Sequence, residues 1–519
     1  MANTINRLTM TTISKVLYSI SVFCLALCCT ACSSDGTIAR SDNYEAQIYP
    51  DYKDVTIPCN IAPMNFSVKD SSATNYALLI ESGDQHVWVN GDDKDFSIDK
   101  DDWQNLISKV SSKGSGKDAN KILFTVAREI NGEWVGGKQF SMTVMPDSID
   151  DFITYRLVPP GYEGWYRMGI YQHQLSTSEE SVVYENAHNN GACMNCHTPY
   201  AQQSDRTLFH IRTFDGGTYM LRDGIIERLE AKTDSTIGAF VYPGWHPNGK
   251  LIAFSNNKTA QTFHTSDKNR IEVFDAASDI VVYDIEKREV FSTPILKTTE
   301  KWETYPTFSP DGKWLYYCSA PKVKDVELNF AQVKYSLCRI AFDAEKHQFG
   351  TEVDTIISAT THIANHSVSF PRISPDGNFL VCTIHNYGNF SIWHKDADMF
   401  ILDMRNADND ASAIKIKPLS EANSDETDSY HSWSSNSRWL VFSSRRDDGY
   451  YTRPYITYID KEGNCHKAFM LPQDNPRKFY SERDLSYNIP EFMKAAVPTP
   501  PREIYAGTKQ DSIQVTYRK

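Results

Sequence analysis

Four stretches of the 519-residue chain repeat in phase. They are Trp245-His246-Pro247-Asn248-Gly249-Lys250, Phe308-Ser309-Pro310-Asp311-Gly312-Lys313, Ile373-Ser374-Pro375-Asp376-Gly377-Asn378 and Trp433-Ser434-Ser435-Asn436-Ser437-Arg438. Their third positions, 247, 310, 375 and 435, are 63, 65 and 60 residues apart. A repeat of this kind constrains the fold strongly, because each unit buries its apolar face only against its neighbours. Each copy reads as strand, tight turn, strand. Pro presets φ early in the turn, and Asp or Asn followed by Gly supplies left-handed geometry. Apolar residues recur five and seven positions after each third position, at Ile252/Phe254, Leu315/Tyr317, Leu380/Cys382 and Leu440/Phe442. That is the period of a strand. A later strand in each unit ends in Asp, over 280–284, 337–343, 400–403 and 455–460, so length varies in the loops between turn and strand. Asp223-Gly224, between 217–221 and 225–229, marks one more hairpin ahead of the first clear copy.

The repeated Ser-Pro-Asp-Gly-Lys ahead of a strand resembles the TolB-like β-propeller repeat. The resemblance covers roughly half the chain and implies a closed propeller over 206–480. Spacings above 60 residues exceed the usual blade, so insertions are implied; six blades are expected, with seven as the alternative. The 28 Tyr, 25 Phe and 10 Trp suit an all-β fold. The 53 basic against 66 acidic residues, a net charge of −13, give no global attraction to nucleic acid.

The chain starts with Arg7 and Lys15, then an apolar run over 16–29, too short for a comfortable membrane span. Cys29-Thr30-Ala31-Cys32 and polar Ser33-Ser34-Asp35-Gly36 follow. This resembles a bacterial lipoprotein signal, with 1–31 removed and Cys32 lipidated; an ordinary secretory signal cut nearby is the alternative. Either places the mature chain outside the cytoplasm. Ser33 resembles an outer-membrane sorting signal, which implies an outer-membrane lipoprotein of the cell envelope. A polar tether is expected over 32–44. Residues 45–149 alternate apolar and polar between turn-rich clusters, with a hairpin at Asn131-Gly132, and predict a small β-sandwich. Residues 150–205 carry Pro159-Pro160-Gly161 and little periodicity, and predict a short irregular segment. The tail over 481–519 is less regular, with an extended exit at Pro498-Thr499-Pro500-Pro501.

Within 150–205 lies Cys193-Met194-Asn195-Cys196-His197. The eleven cysteines make no disulfide framework: four fall within the first 32 residues, and Cys59, Cys318, Cys338, Cys382 and Cys465 are scattered. No second close pair follows to complete a zinc site. A thioredoxin-like redox pair needs a βαβ setting that this segment lacks. A structural pair of cysteines stays open. The motif resembles the c-type haem attachment sequence. That resemblance implies one covalent haem c, with thioethers at Cys193 and Cys196 and His197 as the proximal iron ligand. A low-spin haem needs a ligand on the other face, and Met168, His173, His188, His210 and Met220 are within reach along the chain. His210, in strand-like Leu208-Phe209-His210-Ile211, is the candidate distal ligand and Met220 the second. His188 is too close along an extended segment, and His173, in a polar stretch, is expected to be exposed.

Other patterns carry less. Gly114-Ser115-Gly116-Lys117 lacks the phosphate-loop spacing and reads as a loop. The acidic stretch 92–102 lacks a calcium loop's glycine and reads as a solvated turn. His246, His264, His362, His366, His385, His394 and His431 lie in the propeller without a tight motif; oligogalacturonate lyases, which are propellers, place histidines around a divalent metal. The expectation is therefore a lipid-anchored monohaem cytochrome with a propeller, transferring electrons to a redox partner protein. The alternatives are a propeller scaffold binding a protein or glycan, and a metal-dependent propeller lyase. An electron-transfer or binding protein is expected rather than an enzyme.

Overall fold

Each repeat turn is held by its own side chains. Ser309 Oγ donates to Asp311 at 2.5 Å and accepts from the Trp314 amide at 3.0 Å. Ser374 does the same with Asp376 and Phe379, and Ser434 with Asn436 and Trp439. Gly249, Gly312 and Gly377 take the left-handed conformation, and the fourth turn puts Ser437 there, at φ 63°. The four turns join the first and second strands of four consecutive sheets.

The computed structural model describes residues 36–111, 120–161, 167–213, 216–266, 269–407 and 414–518. Six small sheets form a closed ring, so the chain is a six-bladed β-propeller. The innermost strands of blades 2 to 6 are Met194–Pro199, Ala239–Trp245, Lys301–Phe308, Ser367–Ile373 and Asp428–Trp433. Blade 1 is made from both ends of the ring. Its innermost strand is Ser486–Met493, paired antiparallel with Phe152–Val158, and Gly169–Gln174 and Glu180–Glu185 follow outward. Each innermost strand touches the next, including Ser486–Met493 with those of blades 2 and 6.

This changes two expectations. Residues 150–205 are not an irregular insert, since they supply three strands of blade 1 and the first of blade 2. Residues 481–519 are not a loose tail. They close the ring, and the helix Pro501–Thr508 then packs on blades 1 and 2. Ile513–Gln514 and Thr516–Tyr517 extend the outer edges of blades 2 and 3.

The N-terminal part has a seven-stranded and a three-stranded sheet. Lys121–Ile130 and Glu133–Gly136 form the expected hairpin, with Asn131 and Gly132 at φ 55° and 83°. A helix, Lys100–Ser111, begins inside the stretch read as a solvated turn. Asp99 Oδ1 accepts from the amides of Asp101 and Asp102 at its start, and Trp103, Leu106, Ile107 and Val110 are buried along one face. The tether ends early, because Arg40–Ser41 pairs in parallel with Val135 and Gly136. One core joins this part to blades 1, 5 and 6, with Trp103, Phe124, Trp439 and Tyr487 in the same cluster. Asp150 seals the seam by accepting from the Ser435 amide at 2.7 Å and from its hydroxyl at 2.6 Å. The signal segment, Cys32 and the 114–117 loop lie outside the described residues. Among the described residues no helix is long and apolar enough to cross a membrane.

Candidate functional site

All six innermost strands carry the same irregularity: their ladders slip at one point beside a left-handed residue. These residues, in blade order, are Ile489, Cys196, Tyr242, Tyr305, Phe370 and Tyr430, with φ between 48° and 54°. A bulge re-aims its side chain. The aromatic ones meet in sequence, with centroid distances of 4.3 Å for Tyr242–Tyr305, 5.7 Å for Tyr305–Phe370 and 5.1 Å for Phe370–Tyr430. The residue after each bulge is Pro243, Pro306, Pro371 or Pro490 in four blades, and His197 or His431 in two. Cys196-His197 is thus the blade 2 copy of a pair that blades 3 to 6 build from an aromatic and Pro or His. In those four blades the bulge residue stands five positions before the third position of the turn motif.

Cys193 and Cys196 are free thiols, and both open into one cavity of about 430 Å³. Burial pushes the Cys196 thiol up, against the pull of the Tyr242 backbone. The cavity is walled by Tyr242, Phe390, Trp393 and Tyr430, and on one side by the long hairpin of Leu251–Phe263 with Ile271–Asp284. Its charged groups are three guanidiniums, Arg156, Arg212 and Arg445, with no Asp, Glu or Lys among the lining residues. The two residues between the cysteines hold two of these. The Met194 carbonyl accepts from Arg156 Nη1 at 2.9 Å. With its amide oxygen facing the guanidinium, Asn195 accepts from Arg212 Nε at 3.1 Å and Nη2 at 3.2 Å. The Met194 amide in turn donates to the Met168 sulfur at 3.1 Å, and Met168 also lines the cavity.

The histidine of the motif lies elsewhere. His197 is buried in a crevice of about 20 Å³ beside Tyr305 and Phe370, which adjoins the cavity at Cys196, Tyr242 and Ile489. Neither of its ring nitrogens has a hydrogen-bond partner of good geometry. Burial, with help from Arg156, pulls it down to about 3. His210 does not line the cavity; it is buried in the second strand of blade 2, with Nδ1 3.2 Å from Thr218 Oγ1. Met220 is packed between blades 2 and 3 with Leu208, Leu229 and Phe240. His173, expected to be exposed, is fully buried in blade 1, where its strand is covered on both sides. His188 is exposed between Tyr184 and Tyr505. Of the candidates along the chain, Met168 is the one that shares a wall with the cysteines.

Of the propeller histidines, His264, His385 and His394 gather near Glu272 and the others lie apart. His246 ties two turns together, accepting from the Asn248 amide and lying 3.1 Å from the Gly312 carbonyl. His362 and His366 serve their own loop. His264 and His394 flank Glu272 at 3.7 and 3.4 Å, with Tyr387 donating to it at 2.6 Å, and His385 stacks edge-on against His394. Among the described residues the group of three metal-type ligands within 4.8 Å of one another is Asp284, Glu289 and His347. Arg518 already stands 3.1 Å from His347 Nδ1 and 3.6 Å from Glu289.

His431, the blade 6 counterpart of His197, predicts a measurable pH effect. It is fully buried, Nε2 lies 2.9 Å from the Val381 carbonyl, and burial pulls it to about 3. The unfolded chain protonates this group below about 6.5 and the folded chain does not. Its stabilising contribution is therefore complete above that pH and lost as pH falls towards 3. His431→Pro, which installs the residue of four other blades, is expected to flatten the pH dependence of stability by about 1.4 kcal/mol per pH unit between pH 6 and 4. Denaturant unfolding across that range measures it; parallel curves for the two proteins would refute it.

No family model matches the chain, and no curated protein matches it. Solved structures that it resembles include TolB from Acinetobacter baumannii, 13% identical, covering 76% of this chain and 85% of that one, with a TM-score of 0.41. A putative 6-phosphogluconolactonase from Bacteroides fragilis is 12% identical over 63% of this chain and 98% of its own, with a TM-score of 0.32. Prolyl oligopeptidase B from Galerina marginata is 11% identical over 79% and 54%, with a TM-score of 0.33. The propeller itself rests on the sheets and their ring, and these likenesses add no activity to it.

Proposed function

We propose that the protein is a haem-carrying propeller of the cell envelope that transfers electrons, anchored through lipid on Cys32, with haem c joined to Cys193 and Cys196. One observation carries the reading: both thiols of the motif open into a single large cavity whose charged groups are all arginines. Cavities of a few hundred Å³ with aromatic walls and a few placed polar groups suit a cofactor. The thiols and the cavity fit such a group. Cys193 and Cys196 would hold the group by adding S–H across its two vinyl groups, an addition that needs no external oxidant or reductant. The aromatic walls would give the group an apolar setting, and the guanidiniums would be available to its carboxylates. When bound, the haem supplies one-electron transfer. His197 is the imidazole that the motif provides, and its ring must leave its crevice to serve the cavity; Met168 already offers sulfur in the cavity wall.

The test is covalent haem. Chain produced with haem-attachment machinery is expected to stain for haem peroxidase on a denaturing gel, and Cys193→Ala with Cys196→Ala to leave no stain. An unstained wild type from a competent host would overturn the reading. A second reading is favoured by the place of Cys196-His197 at the common bulge. In it the pair is blade structure, and the cavity takes an anionic ligand without a covalent bond. An unstained protein moves the conclusion there.

A further inference from the structure

We infer that Arg156, Arg212 and Arg445 form one recognition site for a flat apolar ligand bearing two carboxylates, which, resting on the reading above, are the propionates of the haem. The chain as a whole carries a net charge of −13, yet the cavity at the two cysteines gathers three cations and no anion among its lining residues. Burying a guanidinium is costly unless a partner anion or a full set of hydrogen bonds compensates it. Arg445 is 3% exposed. Its Nε donates to the Ile392 carbonyl at 2.7 Å, Nη1 donates to the Tyr450 carbonyl, and the group lies 3.4 Å over the Trp393 ring. These neutral partners leave its charge in place, and burial pulls it down to about 9.

Arg156 repeats the pattern. It donates to the Met194 carbonyl and, at 2.7 Å, to Asn488 Oδ1, while its buried Nε has no partner. Arg212 stands exposed at the rim, turned by Asn195. The three come from blades 1, 2 and 6, and neutral amide or carbonyl oxygens fix all of them. Guanidiniums held in this way present their free N–H groups to a carboxylate in the paired geometry that Arg suits. Met194 and Asn195 are also the spacer of the two thiols, so one backbone segment sets the distance between the sulfur atoms and two of the cations. Trp393 and Tyr242 stand in the same wall.

The experiment uses the full-length mature chain with Cys193→Ala and Cys196→Ala, so that no covalent bond forms. Haemin and haemin dimethyl ester are titrated separately, following tryptophan fluorescence and the Soret band. The ester keeps the ring and removes both negative charges. Haemin is expected to bind at least about tenfold more tightly than the ester. Arg156→Gln with Arg212→Gln should remove that preference by bringing the haemin affinity down to that of the ester. Arg445 is left in place, because its burial makes a folding defect the expected result of changing it. Equal affinity for the two probes, or an unchanged preference in the arginine variant, overturns the inference while the covalent-haem reading stands on its own gel. A preserved preference in a chain that never stains for haem supports the carboxylate site and overturns covalent attachment instead. An aromatic dicarboxylate without iron is the third probe; binding as tight as haemin would assign the site to a free diacid and overturn the propionate assignment.

Discussion

Ending the chain at Leu485 is expected to abolish cooperative folding. The missing strand, Ser486–Met493, is buried at all of its residues and pairs along Phe152–Val158. It also touches the innermost strands of blades 2 and 6, so the ring has no other closure. Tyr487, Phe492 and Met493 are each at most 1% exposed. Burial of each such side chain is worth about 1.5–3 kcal/mol, before the exposed ladder of Phe152–Val158 is counted. A domain's net stability is roughly 5–15 kcal/mol, so the loss is comparable with the whole. The truncated chain should show no sharp thermal transition, and a peptide spanning 486–519 should restore one. A truncated protein that melts as sharply as the intact chain would refute the closure.

Trp439→Ala is the next largest effect, expected at about 3–5 kcal/mol. Trp439 is fully buried in blade 6, packs 4.9 Å from the Tyr458 ring, and donates from Nε1 to the Asp147 carbonyl at 3.1 Å. It stands where the N-terminal sheets meet the propeller, and Tyr458 donates to Asp147 from the same blade. Removing it leaves both a cavity and a half-buried carbonyl without its donor. Denaturant unfolding gives the magnitude, and limited proteolysis near 146–150 should quicken as the seam loosens. A change below about 1 kcal/mol would mean that the seam does not bear on stability.

The propeller was legible where turn chemistry is local. Ser-Pro-Asp-Gly marks a strand pair in blades 4 and 5, and His-Pro-Asn-Gly and Ser-Ser-Asn-Ser in the same phase extend the series to blades 3 and 6. Blade 1 has no such turn to read, because its first two strands come from opposite ends of the ring. Blade 2 turns through Ala201 and Gln202 in left-handed conformations, with no glycine to mark them. The helix at Lys100–Ser111 carried a readable signal, with apolar residues at 103, 106, 107 and 110, but the acidic residues before it drew the reading towards a turn. At the site, the two cysteines were legible as a motif. The bulge they belong to has a signal in the four other blades, as Tyr-Pro, Phe-Pro and Tyr-His five residues ahead of Pro or Ser in the turns, but Ala201 stands at that place after Cys196, so nothing local joins the motif to the series. The arginines left no trace in the sequence. Positions 156, 212 and 445 become neighbours only when the ring closes, and nothing local to any of them announces it.

The order of synthesis gives the closing strand a role in time. A chain emerges from its N-terminus onward. Cys193 and Cys196 therefore exist, and their blade can form, while Ser486, Asn488 and Ile489 are still to come. Those three residues belong to the cavity's wall. Until they arrive that part of the wall is missing, and the chamber is complete only when Ser486–Met493 pairs with Phe152–Val158. The two cysteines and the segment that completes their chamber are thus separated by almost three hundred residues of chain, so the chamber is finished only near the end of synthesis.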